Sequence, residues 1–118
     1  MQKSLYFYSD STYNIIMLRK KRTDRNHVIY RLTCGETNET YIGLTVMRGR
    51  AVQKTVATRF QQHCYRAETQ DKNWALCEAL RSNETWYIEA LEVIRGKKEA
   101  HARERELIAD LQPELNTQ

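Results

Sequence analysis

Two short runs rich in β-branched and aromatic residues flank a polar turn, and no other feature limits the possible fold as strongly. Val28-Ile29-Tyr30-Arg31-Leu32-Thr33 reads as a strand with Val28, Tyr30 and Leu32 on one face. Gly35-Glu36-Thr37-Asn38-Glu39 is a turn, and Thr40-Tyr41-Ile42-Gly43-Leu44-Thr45 is the returning strand. The three segments predict a β-hairpin. Opposed residues in a hairpin have a constant index sum, and side chains alternate between faces. Tyr30 and Tyr41 therefore share a face only if that sum is odd, which requires an even-length loop.

Periodicity sets the elements that follow. A helix is expected to begin near Gln53–Thr55 and run to about Ala67, with Val56, Phe60, Cys64 and Ala67 as its apolar stripe. A second helix, about Asn73 to Arg81, is expected to bury Trp74, Cys77 and Leu80, and Ser82-Asn83-Glu84 breaks it. Trp86 to Ile94 reads as a strand bounded by Gly96, and a last helix from about Lys98 to Leu111 stops before Pro113. The fold class is α+β: a small antiparallel or mixed sheet of three core strands flanked by helices, in the order β-β-α-α-β-α.

A chain of 118 residues has room for one domain, and residues 27–118 are expected to form it behind an extension over residues 1–26. That extension is basic and aromatic, with strand-like segments at Tyr6, Phe7 and Tyr8 and again at Tyr13. No apolar run approaches the ~18 residues of a membrane span, and no secretory leader is visible. Cys34, Cys64 and Cys77 lack paired spacing, so a reducing, cytoplasmic setting is expected.

Charge is unevenly placed. Residues 1–66 hold 12 Lys and Arg against 4 Asp and Glu, whereas residues 67–118 hold 7 against 11. A basic half suits a polyanion. Arg19, Lys20, Lys21 and Arg22 form a cluster that is either a solvated loop or a contact to phosphate. The connector after the hairpin adds Arg48 and Arg50, with Lys54 close behind.

One residue breaks its own pattern. Ala100, Leu107, Ile108 and Leu111 mark the apolar face of the last helix, and Glu104 lies on that same face. A carboxylate there costs several kcal/mol unless it is paired, protonated or bound to a metal. Arg59 and His63 add a cation and a base one helical turn apart. Two phenols, a guanidinium, an imidazole and a carboxylate are the groups that phosphodiester hydrolysis requires: a proton acceptor, a charge neutraliser and a holder for a hard cation.

Val28-Ile29-Tyr30 followed by Tyr41-Ile42-Gly43 resembles the paired motif of the GIY-YIG nucleases, with Val28 in place of the first glycine. The resemblance continues in order through Arg59, His63, Glu104 and Asn116, and covers roughly residues 27–118. It implies a DNA endonuclease. Tyr30, assisted by His63, would help deprotonate water beside Tyr41, and Arg59 would contact the scissile phosphate. Glu104 would hold one divalent metal ion, Mg²⁺ or alternatively Mn²⁺, and Asn116 would fix the C-terminal segment beside the site. The family often has a basic residue where this chain has Leu44; Arg48, Arg50 or Lys54 could supply that charge.

Restriction-type and phage or mobile-element roles both fit, and a homodimer would allow cleavage of both strands. The alternative is a catalytically silent nucleic-acid-binding module on the same fold. Trp74, Trp86 and Cys64 are expected in the core; His27, His101 and Glu106 are expected at the surface.

Overall fold

The computed structural model describes residues 24–70 and 74–116. The expectations for Arg19, Lys20, Lys21, Arg22 and the N-terminal aromatic residues lie outside them. The hairpin is formed by β1 (Asn26–Cys34) and β2 (Thr40–Val46). Helices α1 (Val52–Thr69) and α2 (Ala75–Ser82) follow, then β3 (Trp86–Arg95) and α3 (Lys97–Leu111), with a closing 3₁₀ turn at Glu114–Asn116. The α+β order β-β-α-α-β-α is the one read from the sequence. The three strands run β2-β1-β3, and both pairings are antiparallel, which puts the most buried strand in the middle.

The hairpin loop is tight. Cys34 N–H donates to Glu39 O at 2.9 Å and Asn38 N–H to Cys34 O at 2.8 Å, with Asn38 in the left-handed region at φ 63°. Four residues, Gly35 to Asn38, thus bridge the strands, and the even loop gives the odd register that pairs Tyr30 with Gly43 and Leu32 with Tyr41.

Both sheet faces are covered. Val28, Tyr30 and Leu32 pack with Val56 of α1, Leu76 and Ala79 of α2, and Leu115. The other face carries Ile29 and Ile42, both fully buried, and Glu92, which meets Arg103 of α3. A bulge in β3 makes this possible. Ile29 pairs with Glu92 but Tyr30 with Ala90, so Leu91 is an extra residue. Without it, Glu92 would fall on the α1 face instead of opposite Arg103.

Some expectations need correction. Trp74 is 42% exposed, because α2 starts one residue later and Trp74 sits outside its helical phase in an extended conformation. His27 is buried rather than exposed, and its Nδ1 lies 2.8 Å from Arg25 O. Leu111 is half exposed, at the last turn before Gln112 leaves the helix at φ 47°. The inward stripe of α1 comprises Thr55, Val56, His63 and Ala67, so it is rotated toward His63 and leaves Phe60 and Cys64 half-buried. Trp86 is half-buried against Phe60. Among the described residues, no helix is long and apolar enough to cross a membrane.

Candidate active site

β1 and β2 place the two phenols diagonally on the face that α1 covers, with ring centroids 6.4 Å apart. Gly43, opposite Tyr30, makes room for them. A Cβ at that position would collide with the Tyr30 hydroxyl and with the Tyr41 ring. The glycine is therefore needed for the close approach of a side chain, beyond any kink in the strand.

From α1, His63 reaches into the same space. Its Nε2 lies 2.8 Å from the Tyr30 hydroxyl, and its ring meets Tyr41 edge-on at 5.5 Å. Both members of the hydrogen-bonded pair are buried. Burial lowers the His63 pKa to about 4, helped by the charges of Arg59 and Arg66, so the imidazole is neutral at pH 7. Burial also holds the Tyr30 hydroxyl well above its ordinary range; Tyr41 adds to this and Arg59 opposes it. Tyr41 is raised for the same first reason. With a protonated phenol and a neutral imidazole, the hydroxyl donates to Nε2 in the tautomer that carries its proton on Nδ1, and the bond reverses in the other tautomer.

Arg59 sits one turn before His63 and lines the same pocket of about 110 Å³. Its Nη1 donates to Gln62 Oε1 at 3.1 Å, but its Nε is buried with no hydrogen-bond partner. An unsatisfied charged donor costs a few kcal/mol, and an anion beside it would remove that cost.

Glu104 comes from α3. Its side chain is 19% exposed, and its ion-pair partner is His101 Nδ1 at 3.7 Å. Burial raises its pKa, and its charge in turn raises both phenols, which puts it within electrostatic reach of them. Glu106, on the same helix, is exposed and pairs with Arg103, as its phase predicts. A half-buried carboxylate with one distant partner fits a hard divalent ion in its donor chemistry. Among the described residues no three His, Cys, Asp or Glu side chains converge, so such an ion would take this single carboxylate and keep its waters.

Asn116 grips the outer edge of β2. Its Oδ1 accepts from Ile42 N–H and its Nδ2 donates to Ile42 O, both at 2.8 Å. Two residues earlier in each segment, Glu114 Oε1 accepts from Thr40 N–H at 3.1 Å. Side chains of the 3₁₀ turn thus stand in for a fourth strand and lock the segment that carries Tyr41.

Tyr30, Tyr41, Arg59, His63 and Asn116 therefore converge, with Glu104 acting electrostatically on the two phenols. Of the connector cations, Arg48 lines an open cleft that also includes Arg59, whereas Arg50 and Lys54 are exposed and do not line it. Sequence reasoning missed Arg66 and Gln62. Both follow from Arg59 at i+7 and i+3, the same helical flank, and that spacing was the available signal.

No curated protein and no solved structure matches the chain. The model of one family, described as the GIY-YIG catalytic domain, matches residues 26–117. The match begins where β1 begins and takes in both strands of the tyrosine hairpin, α1 and α3. By this match the chain belongs to the GIY-YIG family, and residues 26–117 are a nuclease catalytic domain.

Proposed function

We propose that this domain is a metal-dependent endonuclease that hydrolyses phosphodiester bonds in DNA. The observation that carries the reading is the buried Tyr30–His63 hydrogen bond of 2.8 Å beside an Arg59 Nε with no partner. A neutral imidazole can accept a proton, a phenol can relay one, and a guanidinium whose Nε lacks a partner can take a phosphate oxygen. As water attacks phosphorus, its proton passes to the Tyr30 oxygen while the Tyr30 proton passes to His63 Nε2. Arg59 neutralises charge on the scissile phosphate. Tyr41 packs against the imidazole and holds its plane, and Asn116 keeps β2 in register. Glu104 would hold a divalent ion, Mg²⁺ or Mn²⁺, which would supply charge neutralisation for the reacting phosphate. One such site cuts one strand, so a double-strand break takes two subunits or two encounters.

Supercoiled plasmid tests this directly. With Mg²⁺ the protein should nick it, and a chelator should stop the reaction. Glu104→Gln should lower the rate by on the order of 10²–10³-fold while the thermal midpoint stays level or rises, since a costly buried charge is gone. An RNA of matching sequence should survive. Cleavage by Glu104→Gln at the wild-type rate would defeat the site assignment. DNA binding without cleavage under any divalent ion would instead mark a silent binding module.

A further inference from the structure

Beside the catalytic pocket, along the β2 edge and between α1 and α3, runs an open cleft of about 750 Å³. Five cations line it: Arg25 ahead of β1, Arg48 after β2, Arg59 and Arg66 on α1, and Lys97 at the start of α3. No Asp or Glu is among the described residues that line it. Nor do Arg25, Arg48, Arg66 and Lys97 pair with a carboxylate anywhere among the described residues. Outside the cleft, three arginines are closed on carboxylates: Arg31 on Glu89, Arg95 on Asp24 and Arg103 on both Glu92 and Glu106.

The fold fixes the backbone beneath these cations. Arg25 O accepts from Gly96 N–H at 2.9 Å and lies 2.8 Å from His27 Nδ1, which ties the Arg25 wall to the start of α3 and so to Lys97. On the other wall, Arg48 N–H donates to Thr55 Oγ1 at 3.1 Å, and Thr55 donates on to Ala51 O at 2.9 Å. The connector is thereby stapled to the first turn of α1. Arg59 and Arg66 belong to both the cleft and the catalytic pocket, so the two spaces share a wall. The described lining residues include no Phe, Tyr or Trp. Their two rings are the imidazoles of His27, which is buried, and His101, which pairs with Glu104, so the cleft suits phosphate charge better than a run of stacked bases.

We infer that this cleft carries the sugar-phosphate backbone of the DNA to the active site, with Arg25, Arg48, Arg66 and Lys97 contacting phosphates on either side of the one at Arg59. The inference rests on the nuclease reading for its ligand class. Contacts of this kind position the polymer and act through counterion release, so each sets a share of the salt dependence and none selects a sequence.

The test uses the full chain in a chelator, a fluorescent mixed-sequence DNA duplex, and anisotropy titrations across a salt series. The triple variant Arg25→Gln, Arg66→Gln, Lys97→Gln should flatten the logarithmic salt slope by about 3, close to 0.9 for each lost contact. Arg66→Lys and Lys97→Arg should keep the wild-type slope. Lys98→Gln, one residue along α3 and exposed outside the cleft, should keep it too. Circular dichroism melts confirm folding, and if the triple variant is unfolded the three single variants each report a loss of about 1. An unchanged slope in folded variants, an equal loss from Lys98→Gln, or no DNA binding by the wild type would overturn the assignment. Cleavage is scored separately: binding through the cleft without cutting sinks the nuclease reading alone, and cutting with an unaltered slope sinks the cleft alone.

Discussion

Along the β2 edge, Arg25, Arg48, Arg66 and Lys97 have no carboxylate partner among the described residues, whereas around β3 Arg31, Arg95 and Arg103 are each closed on at least one. Exposed ion pairs stabilise a fold little, so the difference has small weight in stability and large weight in surface potential. The paired side matches these charges within the fold; the unpaired side is a positively charged trough that shares Arg59 and Arg66 with the pocket of Tyr41 and His63. The charge imbalance along the sequence maps onto this division only in part. Most trough cations come from the basic first half, but Lys97 crosses over from the acidic second half because α3 starts beside Arg25.

The comparison can be broken at several points on the β2 side. Tyr30→Phe removes the hydroxyl on His63 and should cost on the order of 10²–10⁴-fold in cleavage rate, with DNA binding preserved. Wild-type binding with wild-type cleavage would remove the phenol from the mechanism. His63 provides a pH signature. The unfolded imidazole takes a proton near 6.5 and the buried one only near 4, so the unfolded chain binds more protons between those values. Stability should therefore fall as pH drops from about 6.5 to about 4, by about 3 kcal/mol at most. Urea titrations across that range should show the fall in wild type and a flatter profile in His63→Gln. Glu104 acts in the opposite sense: its raised pKa makes stability fall as pH rises through the carboxylate range, and Glu104→Gln should remove that component.

Smaller effects sharpen the contrast. Asn116→Ala leaves the outward N–H and C=O of Ile42 without their protein partners, which should cost about 2 kcal/mol and slow cleavage by loosening Tyr41. Chemical denaturation gives the first number and a plasmid assay the second. On the β3 side, Arg103→Gln frees Glu92 and Glu106 but touches nothing in the trough. It should leave both the salt slope and the cleavage rate at wild-type values, and a change in either would show that the two sides are coupled.

The hairpin and its consequences were legible because parity is a strict rule. Once the loop was even, Tyr30 and Tyr41 had to share a face. Glu104 was legible for the opposite reason, as a charge in the wrong helical phase. The bulge at Leu91 was not, since a single inserted residue leaves no trace in composition. Trp74 misled because a large aromatic beside a helix suggests burial, yet the helix phase does not extend to its cap. His27 was read by its polarity, although strand alternation puts it on the α3 face between Val46 and Ile94. Arg66 was hidden by its own ordinariness: a helix-surface arginine shows a purpose only when the wall it shares with Arg59 is seen.

The grip of Glu114 and Asn116 on β2 also bears on when, during synthesis, the site is completed. The reactive hairpin is synthesised first, but the residues that seat it are near the end of the catalytic domain. A ribosome-bound chain that has not yet reached Pro113 carries the phenols without their final brace. On the proposed function, the full cleavage rate would therefore arrive only when the last residues of the domain have been made.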